Sequence, residues 1–391
     1  MLDNGKAEGV RKIRRFEKYC LKDIATVSQG FTFSRLYQGK KNLKWNYFKV
    51  ADIGLNPNSK YLTNAINTIS DITMEEIGVL PFSKGSIVFP RVGAALFNNN
   101  KKILAQDGVV DDNVLVLTVT DTSKCWYEFL YYYLQGIPLA KWCNSGLVPV
   151  INTKTVLSQM VFLPPLPEQQ KIAAILSTQD KVIELKEKLL VQKQQQKKYL
   201  MQQLLTGKKR LPGFNGEWQF AKLENVSKYS ASAASFKTYE SHLGCGPYPV
   251  YDATGCFGNI DFYENEQPYI SIVKDGAGAG RVALCKAKSS TIGTLGCIFA
   301  NDIDLLYLFY WMSAVDFQIY SNGSTIPHVY YKDYKNVQVH LPCRLEQEAI
   351  VEILSTADHE IDLLQKSIEA EKQKKKALMQ LLLTGKVSVR I

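Results

Sequence analysis

Apolar side chains recur at a seven-residue step in two separate stretches of the chain. Leu176, Ile183, Leu190 and Leu204 form one column, and Leu354, Ile361, Ile368 and Leu382 form the other. Lys197 and Lys375 interrupt the two columns at the same place. A step of seven favours a helix packed against another helix over a helix lying on a sheet. Pro167 and Glu168 suit a first helical turn, and Thr206-Gly207-Lys208 supplies a glycine stop beside a cation. From 179 to 205 the pattern predicts ~40 Å of helix at ~1.5 Å per residue. Ser177-Thr178 followed by Asp180 predicts a kink or restart at its beginning.

Outside the columns the period changes. Residues 86–90 and 113–119 read as strands bounded by Gly, Pro and Asn, and 128–134 reads as one buried helix closed by Gly136 and Pro138. The pattern returns later, with a strand over 270–273 and a helix over 305–312. The two columns belong to a longer duplication. Positions 163–208 align without a gap to 341–386, a shift of 178 residues, and more than half of the pairs are identical. Pro149 and Pro327 keep the same shift, so the duplication extends into the modules before the helices. One unit copied twice predicts two variable modules on a shared helical frame. The boundaries read from the sequence are 1–18 (a flexible basic lead-in), 19–162 (module one), 163–210 (helical region one), 211–340 (module two) and 341–391 (helical region two).

Composition narrows the class. No apolar run approaches the ~18–20 residues that span a bilayer, and the opening Met1-Leu2-Asp3-Asn4-Gly5-Lys6 has no apolar leader core. The eight cysteines are scattered without a C-x-x-C pair, as expected for free thiols in a cytoplasmic protein. The net charge of +10 is uneven: residues 1–162 carry +7 and 163–210 carry +6, whereas 211–345 carry −2. A basic first half suits a polyanion such as nucleic acid.

Catalytic constellations are missing from the sequence. The four histidines lack metal-ligand spacing, and 275–280 (DGAGAG) lacks the order and the lysine-serine pair of a phosphate loop. Asp111-Asp112 and Asp302 with Asp304 read as turn residues. Side chains suited to reading DNA are better represented. In module one Arg35, Lys40, Lys41 and Lys44 alternate with aromatics, Arg91 ends a strand, and Asn98-Asn99-Asn100-Lys101-Lys102 forms a polar loop. In module two Lys274 and Arg281 flank the glycine-rich turn, and Asn322, Ser324 and Thr325 lead to His328 and Tyr330. Lysine contacts phosphate, while Arg and Asn can place paired hydrogen bonds on guanine or adenine edges.

The stretch Leu163-Pro164-Pro165-Leu166-Pro167-Glu168-Gln169, running on to Ile175-Leu176-Ser177, resembles the conserved region of type I restriction-modification specificity (S) subunits. The second copy departs at the prolines but keeps Glu346-Gln347 and Ile353-Leu354-Ser355. The resemblance implies an α+β fold. Two similar target-recognition domains, each a mixed or antiparallel sheet with small helices, are separated by two long antiparallel helices that form a coiled coil with pseudo-twofold symmetry. It also implies a subunit with no catalytic residue, metal or cofactor of its own. Each module would read half of an asymmetric double-stranded DNA site, and the helices would set the gap. Two methyltransferase (M) subunits would methylate adenine N6 from S-adenosylmethionine, and motor-nuclease (R) subunits, using ATP and Mg, would complete the complex. A coiled-coil scaffold without a DNA role is the alternative that the residues leave open.

Overall fold

The structure is a computed structural model that describes residues 16–55, 59–144, 146, 148–323 and 326–389. The chain forms two units, one of 1–188 with 366–391 and one of 189–365.

The first unit opens with a strand, Glu17–Cys20, paired antiparallel to Met160–Leu163 so that Glu17 faces Leu163. Residues 17 and 18 are thus part of the module and not of a flexible lead-in; residues 1–15 lie outside the described residues. A five-stranded sheet follows, in the order Ala25–Gln29, Val114–Val119, Ile87–Pro90, Lys102–Leu104 and Tyr61–Leu62. Its strand Val114–Val119 is a near-continuous apolar run because both faces are covered. Leu115 and Leu117 enter one core, and Val114 and Val116 enter another with Val88 and Leu104. A three-stranded sheet of Asn67–Ile69, Trp45–Phe48 and Val109–Val110 completes the module.

The second unit repeats the plan. Gln219–Lys222 pairs with Gln338–Leu341, and the main sheet runs Ser227–Ala231, Leu295–Ala300, Tyr269–Val273, Val282–Cys285. Its small sheet is Gly255–Ile260, Tyr248–Asp252 and Ser290–Thr291. In both small sheets the central strand has one antiparallel and one parallel neighbour. The buried helices Tyr127–Gln135 and Leu305–Ala314 fall where the apolar runs place them. Asp304 caps the latter, accepting from the backbone of Leu306 and Tyr307.

Two helices of 39 residues each, Leu166–Leu204 and Arg344–Leu382, carry the repeat. At ~1.5 Å per residue each is about 58 Å long. The expected restart near Ser177 does not occur. Thr178 turns its hydroxyl back to the Ala174 carbonyl at 2.9 Å, inside the helix, and Asp180 is engaged elsewhere. No helix among the described residues is long and apolar enough to cross a membrane.

Within each unit the long helices pair antiparallel. In the first, Gln179 and Lys186 hold Glu371 at 2.7 and 2.8 Å, Lys372 pairs with Glu187, and Lys375 pairs with Asp180 at 2.5 Å. In the second, Lys193 pairs with Glu360, Lys197 with Asp358 at 2.5 Å and Arg210 with Glu346. The hydrogen bond from Lys186 is the main cause that holds Glu371 down to about 2. This seam revises the expected use of the apolar columns. Leu176 and Leu382 are buried in the first module's core, and Leu204 and Leu354 in the second's. Ile183 and Ile368 are buried, Leu190 and Ile361 only half-buried, and charge lines the seam between the ends.

Glu168-Gln169 and Glu346-Gln347 attach helices to modules. Gln169 accepts from the Trp126 backbone at 2.8 Å and donates to Pro164; Gln347 accepts from Asp304 and donates to Pro342 in the same way. The glutamates differ. Buried Glu346 receives a two-pronged bond from Arg210, 2.8 Å on each oxygen, and another from the Trp218 indole. Glu168 is equally buried, but among the described residues Oε1 accepts from the Val389 backbone and Oε2 finds no donor. Ser388 stands at the repeat position of Arg210, and Phe16 packs on Gly385 as Trp218 packs on Gly207. Satisfying a buried acceptor is worth ~1–3 kcal/mol. Ser388→Arg is therefore expected to stabilise the full chain by that order in urea titration, and an unchanged midpoint would show that Oε2 is already solvated.

Candidate nucleic-acid interface

In module one the stretch 34–45 forms an exposed turn. Ser34 caps the short helix Arg35–Tyr37 by accepting from Leu36 at 3.3 Å. Arg35, Lys40 and Lys41 are exposed, and the Lys40 ammonium lies 5.6 Å above the Tyr37 ring. Lys44 is also exposed but already paired: Asp71 binds it at 2.8 Å and takes the Trp45 indole proton at 2.7 Å. The Lys44 hydrogen bond is the largest cause of a lowered Asp71 carboxyl.

Arg91 sits just beyond the strand Ile87–Pro90, half-buried, with its guanidinium on the Asp112 carbonyl at 3.2 Å. Asp111 and Asp112 form the turn expected of them, and Asp111 accepts from the Asn113 backbone at 3.0 Å. Asn98 is exposed and Asn100 half-buried. Asn99 adopts a left-handed conformation (φ 54°), and its Oδ1 accepts from the Leu139 backbone at 2.9 Å and from Lys101 at 2.6 Å.

Lys101 and Lys102 are not the exposed phosphate contacts that the polar loop suggested. Each is 2% exposed. The Lys101 ammonium donates to Asn99 and to the Ile137 carbonyl, and that of Lys102 donates to the Ser59 carbonyl. Lys102–Leu104 is a strand of the main sheet, so the loop ends earlier than its polarity implies. Burial pushes Lys101 down to about 7 and Lys102 down to about 8.

In module two the glycine-rich turn and the 322–330 loop come together. Gly276 and Gly280 have φ of 94° and 84°, which side chains rarely adopt, and Gly276 donates to the Pro327 carbonyl at 3.0 Å. His328 bonds Asp275 through Nδ1 at 2.7 Å and lies parallel to the Tyr330 ring at 5.8 Å. Its backbone pairs in both directions with Asn322, whose amide donates to Asp333 at 3.0 Å. The Lys274 carbonyl accepts from Val329 at 2.8 Å, which joins the turn to the loop. Arg281 is exposed, with its guanidinium on the Ala253 carbonyl. Ser324 and Thr325 lie outside the described residues. This cluster unites residues ~50 positions apart, which no local pattern foretells.

The model of the type I restriction modification DNA specificity domain matches residues 14–193 and 215–372. The chain belongs to this family and is a specificity subunit of a type I restriction-modification system. Among its relatives, the MjaX specificity subunit of a type I restriction enzyme of Methanocaldococcus jannaschii is 25% identical over 95% of this chain and 93% of its own length. The MjaVIII specificity subunit of the same organism is 26% identical over 62% of this chain and 65% of its own. The crystal structure of a type I restriction-modification S subunit from M. genitalium shares the fold, with TM-score 0.64, 15% identity and coverage of 96% and 97%. A chain solved for complex assembly and conformational transition of the type I R-M system aligns with TM-score 0.57, 14% identity and coverage of 94% and 97%.

Burial of Lys101 gives the module a pH dependence. Well below pH 7 the lysine is charged in both folded and unfolded chain, and the desolvation cost is fully present. As pH rises from about 7 towards the ordinary lysine value of 10.5, the folded group loses its proton first. The unfolded chain then binds more protons, so stability rises with pH across that window, by a few kcal/mol at most. The urea midpoint of the native chain should thus rise between pH 7 and 9.5, and that rise should shrink in Lys101→Met. Equal pH slopes in the two proteins would contradict the burial.

Proposed function

We propose that this chain reads a bipartite, asymmetric double-stranded DNA site, one half through each module, while its helix pair sets the gap and holds the partner subunits. The observation that carries the reading is the duplication of a whole unit, sheet module plus antiparallel helix pair. Two similar surfaces on one chain suit two successive stretches of one duplex. In module one the base- and phosphate-contacting candidates are Arg35, Lys40, Lys41, Lys44, Arg91, Asn98 and Asn100. In module two they are Lys274, Arg281, Asn322, His328 and Tyr330, with Ser324 and Thr325 in the same loop. Asn99, Lys101 and Lys102 act instead by holding the loop.

The partners in this reading are two methyltransferase subunits, which transfer a methyl group to adenine N6 from S-adenosylmethionine, and motor-nuclease subunits that use ATP and Mg. The chain itself supplies specificity and no chemistry. Leu185 and Leu363 support partner docking on the helices: they are the same repeat position and are 53% and 51% exposed. The DNA-reading chain predicts an affinity for DNA that falls steeply with salt, as phosphate neutralisation requires, whereas the scaffold alternative predicts no such salt-dependent affinity.

Exchange of residues 17–163 for the corresponding module of another family member tests the division of labour. The edges matter, since the pairing of 17–20 with 160–163 must travel together. Methylome sequencing of a host carrying the chimaera with its methyltransferase should show one half of the methylated site changed and the other kept. A change in both halves would contradict independent reading.

The register of the seam defines a second test. The pairs 180/375 and 197/358 are equidistant from the points between 188 and 189 and between 366 and 367. Seven residues inserted at both points preserve the heptad phase and add ~10 Å, about three base pairs. The expected product is the same two half-sites with a gap about three base pairs longer. An unchanged gap would mean that helix length does not set the spacing.

A further inference from the structure

We propose that two equivalent Tyr–Asp–Lys locks, Tyr132–Asp180–Lys375 and Tyr310–Asp358–Lys197, hold each module at one height on the helix pair and make the gap between half-sites a single length. The inference rests on the bipartite reading above and names the residues that enforce its spacing.

In the first unit one carboxylate joins three elements. Tyr132, on the module helix Tyr127–Gln135, donates to Asp180 Oδ2 at 2.5 Å. Lys375, on the opposite long helix, pairs with Asp180 Oδ1 at 2.5 Å and lies 5.9 Å from the Tyr132 ring centre. In the second unit Tyr310 donates to Asp358 Oδ2 at 2.8 Å, and Lys197 pairs with Asp358 Oδ1 at 2.5 Å and lies 5.4 Å from the Tyr310 ring. Every member is displaced by 178 residues from its counterpart, and the long helices exchange roles. These are the lysines that break the apolar columns. Burial is the main cause that pushes both tyrosine hydroxyls up, so each remains a donor to its carboxylate.

The locks discriminate between registers. Sliding the helices past each other by one heptad would set Asp180 against Ile368 or Leu382, and Asp358 against Leu190 or Leu204. A carboxylate against leucine loses its ion-pair partner, and for the less exposed Asp180 the apolar neighbour offers no replacement, so the alternatives are penalised. A polar residue within an apolar column fixes register in this way at a cost in stability. The tyrosine adds what a helix–helix pair alone lacks, a bond from the module to the same carboxylate. The first lock is reinforced: Lys60 donates to Ser177 at 2.6 Å and approaches Glu128 at 3.4 Å, whereas Leu306 stands where Glu128 would repeat.

The test uses the complete complex with methyltransferase subunits and a DNA library in which the gap between fixed half-sites varies. The variants are Tyr132→Phe, Lys375→Asp, Asp180→Leu with Lys375→Leu, and the exchange Asp180→Lys with Lys375→Asp. Loss of the lock should leave both half-site sequences unchanged while the preference for the correct gap over its neighbours falls by about tenfold. The exchanged pair should recover part of the preference lost in Lys375→Asp, which a general loss of packing would not allow. If the leucine pair fails to assemble, Tyr132→Phe alone decides, because it removes one hydroxyl and keeps the ion pair. An unaltered gap profile in assembled Tyr132→Phe and Lys375→Asp complexes would overturn the proposal. A native complex that methylates no bipartite site would instead end the reading on which it rests.

Discussion

The organisation depends on an antiparallel helix pair whose seam is charged. The ion pairs between Lys186 and Glu371, Lys193 and Glu360, and Lys197 and Asp358 are partly exposed. Pairs of this kind contribute ~0–1 kcal/mol each. A buried leucine such as Leu176 or Leu354 contributes more, ~2–5 kcal/mol by the usual cost of truncation to alanine. Adhesion therefore comes from the helix ends, which the module cores embed, and register comes from the charges between them. An apolar seam of equal length would hold more tightly and specify less.

The same division explains the attachment of the modules. Each long helix begins with a Glu-Gln pair whose amide bonds the start of the module helix, and then carries leucines into the module core. The surfaces proposed above to read DNA lie on turns, where Arg35, Arg281 and Asn322 are exposed and belong to no core. Variation there leaves the frame intact. The frame in turn tolerates little, since Gln169 and Gln347 each satisfy backbone groups at a chain crossing.

Much of this was legible in the sequence. The shift of 178 residues, the heptad columns, the strand over 114–119 and the two buried helices all follow from local period and from self-similarity. Other features depended on distant neighbours. Lys101 and Lys102 look like a basic loop until a sheet strand encloses them, and Ser177-Thr178 looks like a cap until the helix runs through it. Lys197 and Lys375 read as interruptions, although both they and their aspartates repeat at the same shift. The pairing of the glycine-rich turn with His328 left no local trace. A buried polar group gains its meaning from a partner far away in the chain, and periodicity records only its own element.

The helical segments 163–208 and 341–386 are copies of one another, and this gives the molecule an evolutionary property. A crossover within the segment that encodes 163–208, against its own second copy or a related gene, would join one module to another helix without disturbing Gln169, Asp180 or Lys197. On the reading proposed above, new specificities would arise by exchange of whole modules, with no gradual remodelling of loops. A host carrying several such genes would then hold a combinatorial repertoire larger than the number of its genes.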